Sequence, residues 1–172
     1  MSIPRIAKFF KVSTDRFVED FIDRYGFDSH DPNAATAAYE MVKIPERSTS
    51  GSAGYDFYTP VDFFVKPGET YKFPTGIRCQ INEGWVLNVY PRSSVGFKHG
   101  IMLSNTVGII DSDYFNAKNE GHIWVKLYNT SDQVFEAKAG DRICQGVFLP
   151  YGVTIDDAAD GERTNGIGST GV

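Results

Sequence analysis

The pattern of apolar and polar positions along most of this chain reads as short β-strands separated by turn signals. Between Trp85 and Tyr90, the residues Trp85, Leu87 and Val89 take one side and Val86, Asn88 and Tyr90 the other, the pattern of a strand. Similar short runs predict strands over 7–12, 55–58, 62–65, 70–73, 76–80, 107–110, 122–128, 134–137 and 142–149. Lys66-Pro67-Gly68-Glu69 and Lys138-Ala139-Gly140-Asp141 read as turns between them. Many short strands with Gly/Pro punctuation predict an all-β sandwich, jelly roll or barrel.

The pattern changes period over 13–41. Phe17, Val18, Phe21, Ile22 and Tyr25 fall on one helical face, with Ser13 or Thr14 as the cap. A second, shorter helix is expected from Asp31, with Pro32 at its first position, to Met41. This helical insertion, about 14–41, reads as a packing element or an oligomer brace rather than a carrier of chemistry. At the other end, residues 156–172 are rich in Gly, Asp and Thr and nearly empty of apolar side chains. Alone such a tail frays. Its alternative is a Gly-rich arm whose backbone N–H groups close over phosphates. The expected organisation is a β domain over 1–155 and an arm over 156–172.

Composition narrows the function. With 41% apolar and 14% aromatic residues the chain is an ordinary globular one. A net charge of −5 argues against non-specific nucleic-acid binding, which needs a basic face. The N-terminus does not read as a signal peptide, and no apolar run approaches membrane-spanning length. A cytoplasmic location away from the membrane is the expectation. Cys79 and Cys144 lack zinc-type spacing and read as buried, reduced thiols, although a disulfide stays open. His30, His99 and His122 are scattered.

Five segments carry candidate chemistry: Ala53-Gly54-Tyr55-Asp56-Phe57, Pro91-Arg92-Ser93-Ser94-Val95-Gly96, the stretch from Asn105 through Gly108, Ile110 and Asp111 to Tyr114, Gly140-Asp141-Arg142-Ile143-Cys144-Gln145, and the tail Gly166-Ile167-Gly168-Ser169-Thr170-Gly171. A tight hairpin over 105–111 could present backbone donors and acceptors to a flat base edge, reading it as base pairing does. Arg92 supplies a planar five-donor fork suited to phosphate oxygens. A carboxylate such as Asp111 can take a proton from an attacking water, help worth roughly 10²–10⁴ in rate.

Taken in order, these segments resemble the five motifs of the trimeric dUTPase family, from residue 44 to the C-terminus, with 7–12 as the family's first strand. The resemblance implies a distorted jelly-roll β-barrel and hydrolysis of dUTP to dUMP and pyrophosphate. It implies a homotrimer with sites between subunits, each closed by a tail from another chain. It places Asn105, Gly108 and Ile110 at the uracil and Tyr114 against the deoxyribose, excluding a 2′-hydroxyl. Asp111 becomes the general base for water attacking the α-phosphorus. Arg92, Ser93, Ser94, Gln145, Arg163, Ser169 and Thr170 become phosphate contacts, and Asp56 supports the sugar and water network. One Mg²⁺ is implied, held by the triphosphate and not by a protein cage. Because the net charge is −5, a ligand with four negative charges must be held by local donors. Asp113 reads as a turn residue, and Arg142 as an ion-pair partner of Asp141 or of a neighbouring subunit.

Departures from the family pattern are visible. Ser94 replaces the commoner glycine, acceptable unless the backbone needs a positive φ. Ile167 stands where an aromatic ring usually stacks on uracil, losing about 1–3 kcal/mol of stacking. Arg163 lies four residues before Ile167, a shorter spacing than the commonest form. Residues 116–120 form a polar insertion expected on the surface beside the site. Two rival readings compete with this one. A dCTP deaminase shares the fold family and an arginine-serine motif, but Lys126 falls where that family carries its proton-shuttling glutamate. An interaction protein on the same scaffold, docking through the helical insertion, would not require Asp111.

Overall fold

The computed structural model describes residues 3–26, 32–161 and 163. Twelve strands and two α-helices are found among them. The strands are β1 (Ala7–Lys11), β2 (Glu46–Arg47), β3 (Tyr55–Tyr58), β4 (Phe63–Val65), β5 (Thr70–Pro74), β6 (Ile77–Ile81), β7 (Trp85–Pro91), β8 (Ile101–Leu103), β9 (Gly108–Ile110), β10 (Trp124–Asn129), β11 (Phe135–Ala137) and β12 (Arg142–Pro150). The ten strands expected from period two are all present, with ends shifted by one or two residues. β2 and β8 are additions, too short to show a period.

The largest sheet has the order β2-β3-β12-β7-β9, with β12 antiparallel to both β3 and β7. The others are β5-β10-β8, β1-β6 and β11-β4. Inward residues of facing sheets, including Phe57, Phe73, Leu87, Ile101, Leu127 and Ile143, are fully buried between them. At about 1.5–3 kcal/mol per buried large side chain, this core is the main stabilising term. Cys79 and Cys144 are free and buried in it. Burial pushes both thiols up to about 12, so neither is a nucleophile near neutral pH.

The helical insertion forms as α1 (Thr14–Tyr25) and α2 (Pro32–Glu40). Ser13 is the cap of α1, its Oγ accepting the Arg16 N–H at 3.1 Å. The expected start of the second helix at Asp31 lies outside the described residues. Phe17 and Phe21 turn into the core, and the Tyr25 and Tyr71 hydroxyls meet at 2.8 Å on β5. The insertion is therefore packed into the domain, as its apolar face foretells.

The 105–111 stretch differs from expectation. β8 pairs with β10 and β9 pairs with β7, so these consecutive strands lie in different sheets and form no hairpin. A tight turn joins them, with Thr106 at φ 63° and its N–H donating to the Leu103 carbonyl at 2.9 Å. The result leaves β9 as an edge strand of the largest sheet.

Candidate active site

At the end of β7 the chain leaves the sheet through Arg92 and Ser93 and enters a single π-helical turn, Ser94–Lys98. Beside it runs Gln145 on β12, whose Nε2 donates to the Pro91 carbonyl at 3.3 Å. A pocket of about 640 Å³ opens here, lined by Ser52, Gly54, Asp56, Arg92, Ser93 and Gln145, with Ser94 also at its wall. Gly54 lies so close that a Cβ would sit 2.6 Å from Gln145 Oε1; a glycine keeps that amide in place. Asp56 is buried beneath the pocket. Arg92 Nε reaches its Oδ1 at 2.8 Å, Ser48 Oγ donates to Oδ2 at 2.9 Å, and Arg142 Nη1 lies 3.2 Å from Oδ2. Asp56 thus holds Arg92 by one edge and leaves the fork's end as a donor for an anion. Ser94 carries no positive φ, because among described residues only Thr106 and Glu120 do so outside glycine. The condition for serine at this position is met.

A second cluster lies along β9 and the 3₁₀ helix Ser112–Asn116 that follows it. Gly108 to Ile110 offer one backbone edge that no other strand among the described residues pairs. The Ile110 side chain is buried, so only its backbone can meet a ligand, whereas Ile109 is exposed. Asp111 caps the 3₁₀ helix and is half exposed. Arg163 bridges two acids, with Nη2 2.6 Å from Asp111 Oδ2 and Nε 2.8 Å from Asp113 Oδ1. Its guanidinium also lies 5.6 Å from the centre of the Tyr114 ring. Tyr114 is almost wholly buried, its hydroxyl turned inward to donate to the His122 carbonyl at 2.8 Å.

The dUTPase family model matches residues 40–171. The chain belongs to the dUTPase family. A deoxyuridine 5'-triphosphate nucleotidohydrolase of Lactococcus lactis subsp. lactis (strain IL1403) is 43% identical over 133 residues, 76% of this chain and 89% of that protein. A protein of the same name from Psychromonas ingrahamii is 41% identical, covering 72% of this chain and 83% of its own length. Among solved structures, the dUTPase from Streptococcus mutans matches with a TM-score of 0.63 and 33% identity over 87% of this chain and 98% of that one. A dUTPase from phage phi11 of S. aureus, seen with its species-specific insert, shares the fold at 20% identity and a TM-score of 0.59 over 71% of this chain and 92% of that one. The all-β, jelly-roll-like fold with a small helical part is that of dUTPase structures. The family match begins at residue 40, where α2 ends.

Within the dUTPase frame, one chain brings the motif residues together as two groups. Asp56, Arg92, Ser93, Ser94 and Gln145 line one pocket or its floor, and that lining includes none of Asn105, Gly108, Ile110, Asp111, Tyr114 or Arg163. Ile167, Ser169 and Thr170 lie outside the described residues. Arg142 does form an ion pair, but with Asp56 and not with Asp141, whose carboxylate instead accepts the Lys138 N–H at 2.8 Å. Strand β12 points Arg142 across to β3, away from its own turn. Asp113 is an ion-pair partner and not only a turn residue. Residues 116–120 lie largely at the surface, as expected, but are tied down there: Glu120 accepts the Ser13 N–H at 2.8 Å and its hydroxyl at 2.6 Å, and Asn119 Nδ2 reaches the Tyr114 hydroxyl at 2.8 Å.

Sequence reasoning missed Ser48, Asn119 and the buried pair of Asp20 and His122, which meet at 2.5 Å. These contacts join segments up to 102 residues apart, and no spacing rule reports them.

Proposed function

We propose that this dUTPase-family chain hydrolyses dUTP to dUMP and pyrophosphate at a site built from both clusters. The observation that carries this reading is the separation of the clusters within one chain. A phosphate-binding pocket on one copy facing β9 and Asp111 of the next would complete the site, which argues for a homotrimer with interfacial sites. The exposed residues Tyr151, Val153 and Ile155, on the stretch that follows β12, support contact between copies, because three large apolar side chains lie exposed together in the single chain.

In this reading the free backbone edge of β9, with Asn105, takes the uracil, and Tyr114 meets the deoxyribose once Arg163 swings away. Arg92, Ser93, Ser94 and Gln145 take the phosphates, joined by Arg163, Ser169 and Thr170 as the arm closes. Asp111, released from Arg163, accepts the proton of a water aligned with the α-phosphorus, and pyrophosphate leaves on the opposite side. Ile167 covers the base without aromatic stacking.

The donors around the pocket are arginine, hydroxyl and amide groups, suited to phosphate oxygens. Among the described residues no group of three or more His, Cys, Asp or Glu is placed to hold a metal. These residues fit a triphosphate that brings its own Mg²⁺, which would orient the phosphates and offset their charge. The test is pyrophosphate release from each deoxynucleoside triphosphate. Turnover of dUTP well above dTTP and dCTP is expected; ammonia release from dCTP would overturn the reading in favour of a deaminase.

A further inference from the structure

We propose that Asp20 and His122 are positioning residues for this reaction, through which helix α1 sets the Tyr114 ring. The inference rests on the reading of Tyr114 as the sugar platform. Tyr114 has no freedom at its polar end: its hydroxyl donates to the His122 carbonyl at 2.8 Å and accepts from Asn119 Nδ2 at 2.8 Å. His122 is itself fixed from two elements. Its Nε2 accepts the Gly76 N–H at 2.8 Å, so the ring proton sits on Nδ1 and points at Asp20 Oδ2, 2.5 Å away. The other Asp20 oxygen takes Arg16 Nη2 at 2.5 Å, one turn earlier on α1. The imidazole is completely buried.

The loop between them cannot absorb a shift. At Gly121, φ is 67° and a Cβ would lie 2.6 Å from the Tyr114 carbonyl oxygen, so the chain returns directly beneath the 3₁₀ helix. A line of hydrogen bonds therefore runs from Arg16 through Asp20 and His122 to the Tyr114 hydroxyl. Asp111 lies three residues before that tyrosine and outside this line. Loosening Asp20 leaves a buried Nδ1–H without an acceptor, frees His122 to move, and lets the ring drift. A drifting platform weakens sugar fit and admits a 2′-hydroxyl, while the carboxylate chemistry stays in place.

The experiment measures kcat and KM for dUTP and UTP with the full chain and with Asp20→Ala, Asn119→Ala, Tyr114→Phe and the double variant Asp20→Ala/Tyr114→Phe. Asp20→Ala and Asn119→Ala should each lower the dUTP-over-UTP ratio of kcat/KM by roughly tenfold, mostly through KM. In the Tyr114→Phe background, where the hydroxyl is gone, Asp20→Ala should change the ratio by less than about twofold, because coupled sites are non-additive. A lower Tm with an unchanged ratio, or additive effects in the double variant, would overturn the inference. Should Asp20→Ala fail to fold, Asp20→Asn, which keeps the side chain's size but removes the charge facing the His122 Nδ1–H, takes its place, and an unchanged ratio there overturns the inference as well. If the wild-type chain hydrolyses UTP as well as dUTP, the sugar-platform reading itself fails and the inference with it.

Discussion

At the residue scale, Asp56 anchors the pocket at the end of β7, because one carboxylate holds Arg92, Arg142 and Ser48. Replacing it by alanine leaves two cations without their buried partner. We expect a stability loss of about 1–3 kcal/mol in urea unfolding, since both arginines keep some water, and a raised KM from a wandering Arg92. Gly54→Ala should act on binding more than on folding, by pushing the Gln145 amide out of place. A calorimetric fold stability close to wild type with several-fold weaker dUTP binding is the expected result. These residues differ in how far the sequence revealed them. Motif order singles out Arg92, Gln145 and Asp111, and the structure brings the first two to one pocket while Asp111 sits in the other cluster. The arginine that completes Asp56 was legible as an ion-pair former but not as to partner, because strand register, not sequence neighbourhood, chooses it.

At the element scale, the helical insertion is tied to the β domain by the Asp20–His122 contact. Burial holds the His122 imidazole below its ordinary pKa, against the raising effect of the Asp20 carboxylate; Arg16 lowers it and Glu120 raises it slightly. Burial raises the Asp20 carboxyl, but its bonds to His122 and Arg16 outweigh that and leave it below the usual range. Both signs agree. An unfolded histidine binds its proton first as pH falls, so the stability from neutral His122 is complete above about pH 6.5 and is lost below it. The Asp20 contribution persists to lower pH, being lost only as its own carboxyl protonates. Thermal unfolding between pH 7.5 and 5 should show a falling Tm, and His122→Gln, which keeps an acceptor for Gly76 but cannot gain charge, should flatten that slope. Period two and period 3.6 gave nearly every element here, since each strand or helix with one wet face writes its period into the chain. The short strands β2 and β8 escaped it, and so did the path at 105–111, where a turn hands the chain from one sheet to another and leaves no local trace of doing so.

At the scale of the whole molecule, the proposed reading has neighbouring copies meet the separated clusters and cover the exposed apolar residues at 151–155. Sedimentation should give a trimer. Mixing Arg92→Ala chains with Asp111→Asn chains should restore activity that neither has alone, because some interfaces would then pair an intact pocket with an intact carboxylate. In the arm, Ile167→Phe should tighten dUTP binding by restoring ring stacking, and calorimetric titration checks it. The proposed role of Asp111 in dUTP hydrolysis is tested most directly by the rate of pyrophosphate release from dUTP by the wild-type chain and by Asp111→Asn. A fall in kcat of roughly 10²–10⁴ with little change in the fold is expected; full activity in the variant would contradict that role.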